Sequence, residues 1–172
     1  MNATSQEIAA TQEIAALICN APIGQYIGED GAAILAQRAA QKIDLQDDEV
    51  LFDKGVSTNC FYIVTKGRLA ITSPVKDRDR ATVLHILERG DLVGELSFID
   101  GSGHANTVRS LGTSCVISFN KDDIFPLIKD HPELIFNFMR AVIKRVHSTL
   151  TAINRQQNEL LAYIQTGGKG RL

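Results

Sequence analysis

Nowhere in the 172 residues is there a stretch approaching 18 uninterrupted apolar residues, and the N-terminus has no basic segment leading into an apolar run, because Glu7 and Glu13 interrupt it. A transmembrane span and a secretory leader are therefore not expected. Cysteine is scarce: Cys19, Cys60 and Cys115 are odd in number, far apart and without a CxxC pair, which excludes a disulfide framework or a metal knuckle and fits a reducing cytoplasm. A charge excess is also missing. The net charge is −2 with 22% charged residues, so neither a nucleic acid nor an acidic membrane surface is indicated as a partner. No Ser/His/Asp, Cys/His or paired-carboxylate set can be assembled from adjacent motifs, which argues against an enzyme. His85, His131 and His147 have no second ligand at metal spacing.

What the chain does contain is 44% apolar residues, enough to bury one core, arranged in three successive textures. Residues 1–40 read as helices. A tandem repeat, Ser5-Gln-Glu-Ile-Ala-Ala then Thr11-Gln-Glu-Ile-Ala-Ala, carries Ile8, Ile14, Leu17 and Ile18 at near-helical spacing, with Thr4 and Glu7 as a capping box. A second helix is predicted from Glu29 to Ala39. From Gln41 onward, runs rich in β-branched and aromatic residues alternate with turn residues. Strands are predicted at 41–45, 49–53, 60–65, 67–73, 81–88, 105–111 and 114–119, with turns that include Asp77 to Arg80 and Gly112-Thr113. Short strands at this spacing suggest a roll, barrel or sandwich. Cys60 to Val64 is apolar on both faces and belongs in mid-core, whereas Cys115, Ile117 and Phe119 alternate with Val116, Ser118 and Asn120.

Helical periodicity returns at Lys121 to Lys129. After Pro132 it runs without proline or glycine from Glu133 to about Gln165. There Met139, Val146, Ile153 and Leu160 recur every seven residues, and Ile143, Leu150, Gln157 and Ile164 form a second row, which together make a coiled-coil seam. Gln157 is the polar position expected to fix register at a dimer axis. Arg140, Lys144, Arg145 and Arg155 read as solvated flanks of that seam, and residues 167–172 as a flexible tail.

Residues 93–108, Val-Gly-Glu-Leu-Ser-Phe-Ile-Asp-Gly-Ser-Gly-His-Ala-Asn-Thr-Val, resemble the phosphate-binding cassette of the cyclic nucleotide-binding superfamily. That family includes regulators of the catabolite activator type, the regulatory subunits of protein kinase A and cyclic nucleotide-gated channels. Glu49-Val-Leu-Phe-Asp-Lys-Gly55 and Phe61-Tyr-Ile-Val-Thr-Lys-Gly67 look like its first strands and the glycine turn between them, and the likeness runs from about residue 22 to 150. It implies a mainly β fold with flanking helices: an antiparallel β roll (double-stranded β-helix, or jelly roll) over 41–131, including the cassette and a following short helix, then a long C-terminal dimerisation helix over 132–166.

By this resemblance the ligand is cAMP or cGMP. Gly94 and the start of a short helix from Glu95 to Phe98, Leu96 and Ser97 included, would offer backbone donors to the phosphate. Glu95 matches the family glutamate that accepts from the ribose 2′-hydroxyl. Ser148 and Thr149 fall near the family's base-contacting hydroxyls. The family's phosphate-binding arginine and the small residue after it correspond to His104 and Ala105, so here a protonatable imidazole stands where the family has a fixed cation. Two readings stay open. One is a sensor that binds a cyclic nucleotide and signals to an unknown protein partner through the helix; the other is a degenerate homodimeric interaction module that binds none. Catabolite activator relatives continue into a winged helix-turn-helix. Here a short Gly-rich tail follows the helix, so direct DNA binding is not expected.

Overall fold

The computed structural model describes residues 3–74 and 81–165, without the side chains of 3–5, 153, 156 and 160. The expected turn at Asp77 to Arg80, the tail, the Thr4 cap and the side chains of Ile153 and Leu160 lie outside the described residues. The chain opens with α1 (Ala3–Asn20) and α2 (Gly24–Ala36). The second helix starts earlier than its pattern predicts because Gly28, at φ 67 and ψ −176, is a kink inside it rather than a boundary before it.

Among the described residues six antiparallel strands follow: β1 (Gln41–Leu45), β2 (Val50–Phe52), β3 (Cys60–Ser73), β4 (Thr82–Leu87), β5 (Leu92–Val93) and β6 (Thr107–Asn120). Their order is β1-β6-β3-β4, with β2 also paired to β6 and β5 to β3. Two predicted pairs of strands are thus single long ones, and Gly112-Thr113 is not a turn but part of β6. The physical reason is that Gly67 and Gly112 take φ 72 and 73, and the β3–β6 register shifts there, so each strand bends through a bulge and carries on. A side chain at Gly67 would put its Cβ 2.5 Å from the Thr113 carbonyl oxygen. The two-residue β5 was too short to register as a strand in the sequence.

The paired spine of β3 and β6 separates two apolar clusters. On the outer side Phe61, Ile63, Ile117 and Phe119 pack with Leu17, Ile18, Leu35, Leu127, Leu134 and Phe138 of the helices. On the inner side Tyr62, Val64, Leu69 and Val116 fill the roll with Leu45, Phe52, Leu87, Val93 and Val108. This explains why Phe61 to Val64 is apolar throughout: it has a core on both faces. Along β6, Ile117 and Phe119 alternate with Val116 as expected, but the second face is buried too: Val116 enters the roll and Ser118 is buried beneath β1, its hydroxyl donating to the Gln41 carbonyl at 3.3 Å.

Beyond β5 lies the short helix α3 (Glu95–Asp100), and after β6 come α4 (Lys121–Ile124), α5 (Leu127–Asp130) and α6 (Pro132–Gln165). The single helix predicted over 121–129 is split because Pro126 supplies no backbone N–H to continue the ladder. Leu134, Phe138, Ala141 and Val142 bury the first turns of α6 against the body. Past His147 every side chain described is exposed, including Leu150, Gln157 and Ile164. Phe61 joins the layers, since its ring lies 4.8 Å from Phe119, 5.0 Å from Phe98 of α3 and 5.2 Å from Phe138 of α6, centroid to centroid. The short helix and the long one therefore share one aromatic contact.

Candidate functional site

Gly94 begins the site. It caps α3 in the left-handed region, φ 76 and ψ 8, and a Cβ there would stand 3.1 Å from His104 Cε1. Only glycine combines that backbone with that approach. The turn presents Glu95 and Ser97 inward, both buried, and leaves Leu96 half exposed. Ser97 Oγ donates to the Ser102 carbonyl, and Gly101 N–H to the Ser97 carbonyl (2.9 Å), which folds the Gly-rich loop back on the helix. The hydroxyl and backbone N–H of Ser102 hold the Asp100 carboxyl below its ordinary pKa.

The loop then meets the second motif. His104 N–H donates to the Val56 carbonyl (2.9 Å), and Gly55 N–H to the His104 carbonyl (2.8 Å), so the Asp53-Lys54-Gly55 turn and the cassette form one wall. The His104 side chain does not project into open space. It is 5% exposed, its ring stacks on Phe52 with centroids 3.6 Å apart and planes 15° apart, and Nε2 lies 2.9 Å from Thr58 Oγ1. Thr58 gives its own proton to the Cys60 carbonyl (3.3 Å), which leaves it an acceptor for an Nε2–H. Burial pushes the imidazole pKa below its ordinary value, so the ring is neutral at pH 7.

These groups line a cavity of about 290 Å³. Gly94, Glu95, Leu96, Ser97, His104 and Ala105 all border it, with an apolar wall from Phe52, Ile71, Leu87, Leu92 and Val108. A volume near 300 Å³ sits at the lower end of small-molecule sites. Facing the cassette is Arg145 of α6, whose place in a charged helix suggests a solvated flank. Its Nη1 donates to the Leu92 carbonyl at 2.7 Å and stands 3.7 Å from Glu95 Oε1. Arg145 is the one lysine or arginine among the described residues that line this cavity. A signal existed: Arg145 lies one helical turn before Thr149, hence on the face the resemblance had already pointed to.

Thr149 is placed elsewhere. With Ser148, His85 and Lys144 it borders a neighbouring cleft of about 370 Å³ between α2, the β4–β5 connection and α6, and Arg145 and Leu92 are walls of both spaces. Its hydroxyl donates to the Arg145 carbonyl (3.0 Å). Among the described residues no group of three His, Cys, Asp or Glu side chains could hold a metal ion, and no helix is long and apolar enough to cross a membrane.

Comparison with known proteins bears on the family and the fold. The family model described as the cyclic nucleotide-binding domain matches residues 42–131, just over half of the chain. A "CRP-like cAMP-activated global transcriptional regulator" from Mycobacterium tuberculosis is 26% identical over 150 residues, which cover 87% of this chain and 63% of that protein. The "Neuropathy target esterase sws" of Drosophila grimshawi is 25% identical over 130 residues, covering 70% of this chain and 9% of the other. The chain thus spans under two thirds of each of these relatives. In three dimensions it is similar to the N-terminal domain of a transcriptional regulator from Streptomyces coelicolor, with a TM-score of 0.67, 23% identity, and coverage of 80% of this chain and 94% of that one.

Proposed function

The chain belongs to the cyclic nucleotide-binding domain family, and from that membership we propose that it is a regulatory sensor module holding cAMP or cGMP between the roll and α6. One observation carries the reading: a buried carboxylate, Glu95, and a half-buried guanidinium, Arg145, stand 3.7 Å apart on the wall of a cavity that the cassette also lines. Glu95 is the acceptor for a ribose hydroxyl. Arg145, with forked donors and a fixed charge, meets the phosphate that the neutral His104 does not neutralise. Gly94, Leu96, Ser97 and Ala105 border the ligand, and the stacked His104 forms the floor beneath it. Thr149 enters the site only if α6 shifts.

Signal transfer follows from the same contacts. A ligand that draws Arg145 or Glu95 to itself changes what holds α6 to β5, and Phe98, Phe61 and Phe138 connect the short helix to the root of α6. Ile143 and Leu150, 63% and 54% exposed, would be covered by a second α6 in a parallel homodimer, and a protein partner would read that pair. We place the module in the cytoplasm, as a binding protein rather than a catalyst, on the strength of its unpaired cysteines and its family.

A second reading is favoured by His104 itself. Its ring is already committed to Phe52 and Thr58, as in a module that has kept the fold and lost the nucleotide. Calorimetric titration of the full chain with cAMP and cGMP separates the two. Saturable binding of either near one per chain supports the sensor, and no heat with either supports the ligand-free module.

A further inference from the structure

The α2–α6 cleft has a chemistry of its own. Lys144 and Arg145, consecutive on α6, both border it, with Ser148 and Thr149 one turn on, and His85 of β4 and Tyr26 of α2 also line it. Arg140, which does not line the cleft, has its Cζ 6.0 Å from the centre of the Tyr26 ring. Asp91 is the one carboxylate among the described residues lining the cleft, and it is turned to the backbone, accepting from Glu88 N–H at 2.8 Å. Pro22, Ile23, Leu92 and Ala141 supply an apolar floor. Ser148 and Thr149 at present donate back to the Lys144 and Arg145 carbonyls (2.9 and 3.0 Å), bonds a hydroxyl can exchange for an anion by rotating.

We propose that this cleft is a second ligand site, one that takes the phosphate group of a small organic phosphate and lays the attached ring on the Tyr26 side. Two adjacent cations with two hydroxyls one turn away match a tetrahedral, multiply charged acceptor better than a planar carboxylate. Arg145 is a wall of both cavities, so the two sites are coupled. An anion in the cleft competes with Glu95 for the guanidinium and weakens the cassette's ligand, and linkage requires the reverse effect to be equal. The coupling rests on the cassette reading; the cleft site does not.

The test uses the full chain at low ionic strength with inorganic phosphate, AMP and adenosine, read by amide chemical shifts so that the cleft (Ser148, Thr149) and the cassette (Gly94, Ser97) are distinguished. Phosphate and AMP are expected to move the cleft amides, AMP at lower concentration, and adenosine to leave them unmoved. Lys144→Glu, on an exposed helix position outside the cassette cavity, should weaken that response at least about tenfold, while Lys129→Glu on α5 should not. Equal binding of adenosine and AMP, an unchanged Lys144→Glu, or an equal loss in Lys129→Glu overturns the proposal. Failure of cyclic nucleotide binding alone leaves the cleft responses as predicted, and removes only the coupling.

Discussion

Replacing Arg145 with glutamine removes the charge that faces the cassette and leaves a shorter, uncharged but still helix-forming side chain. At 3.7 Å and an effective dielectric of about 20, its attraction to Glu95 is about 4 kcal/mol before desolvation. Arg145 is 34% exposed, and solvent screening with the cost of ordering a long side chain brings the net value to about 1 kcal/mol. The 2.7 Å bond to the Leu92 carbonyl adds about 1.5 kcal/mol as a hydrogen bond from a charged donor. Arg145→Gln should therefore lower folding stability by roughly 1–2.5 kcal/mol. Its effect on a bound cyclic phosphate should be larger, because the ligand loses its one side-chain cation: about 1.5–3 kcal/mol, or roughly 10- to 150-fold in Kd. Arg145→Lys, which keeps the charge but not the fork, should fall between. Calorimetry with the three proteins, alongside thermal unfolding, measures both quantities. A glutamine variant that is folded and binds within about twofold of the parent would show that Arg145 does not meet the phosphate.

Three further outcomes follow from other parts of the structure. Because His104 is buried neutral, the unfolded chain takes up its proton first as the pH falls; the stability this provides is complete above about 6.5 and is lost below it, so His104→Gln should lose less stability than the parent between pH 7 and 5, and equal losses would contradict the buried-neutral assignment. Gly67→Ala combines a left-handed backbone with a Cβ 2.5 Å from the Thr113 oxygen and should cost about 2–4 kcal/mol, a fall in Tm of roughly 5–15 °C by calorimetry. Ile143→Asp with Leu150→Asp should yield monomers in sedimentation velocity with the roll intact by circular dichroism, and an unchanged sedimentation coefficient would place any dimer contact away from α6.

The fold was legible where one residue pattern had one solution. The strand-rich middle, the long uninterrupted α6 and the cassette could be read directly, because period, turn residues and motif agreed. What misled was glycine. Gly67 and Gly112 have the residue type of a turn but sit at bulges, and only the partner strand distinguishes the two. Gly28 likewise looked like a helix start and is a kink. At the site, residues close in sequence were found together, whereas Arg145, Phe52 and Thr58 came from outside the motif. An arginine in a charged helix reads as solvated until the tertiary fold sets it against Glu95. His104 reads as a protonatable imidazole in the place of the family's cation, and the Phe52 stack that makes it a buried neutral ring depends on a contact 52 positions away in the chain, from 104 to 52.

Whether a cyclic nucleotide sits against the cassette and Arg145 is measured directly by the two-dimensional amide spectrum of the labelled full chain titrated with cAMP and with cGMP. At least one of them is expected to move the amides of Gly94, Glu95, Ser97 and Ala105 together with the Arg145 side-chain signal, saturably and at one concentration midpoint. No movement at those positions at millimolar ligand, or movement confined to residues away from the cassette, would contradict that placement.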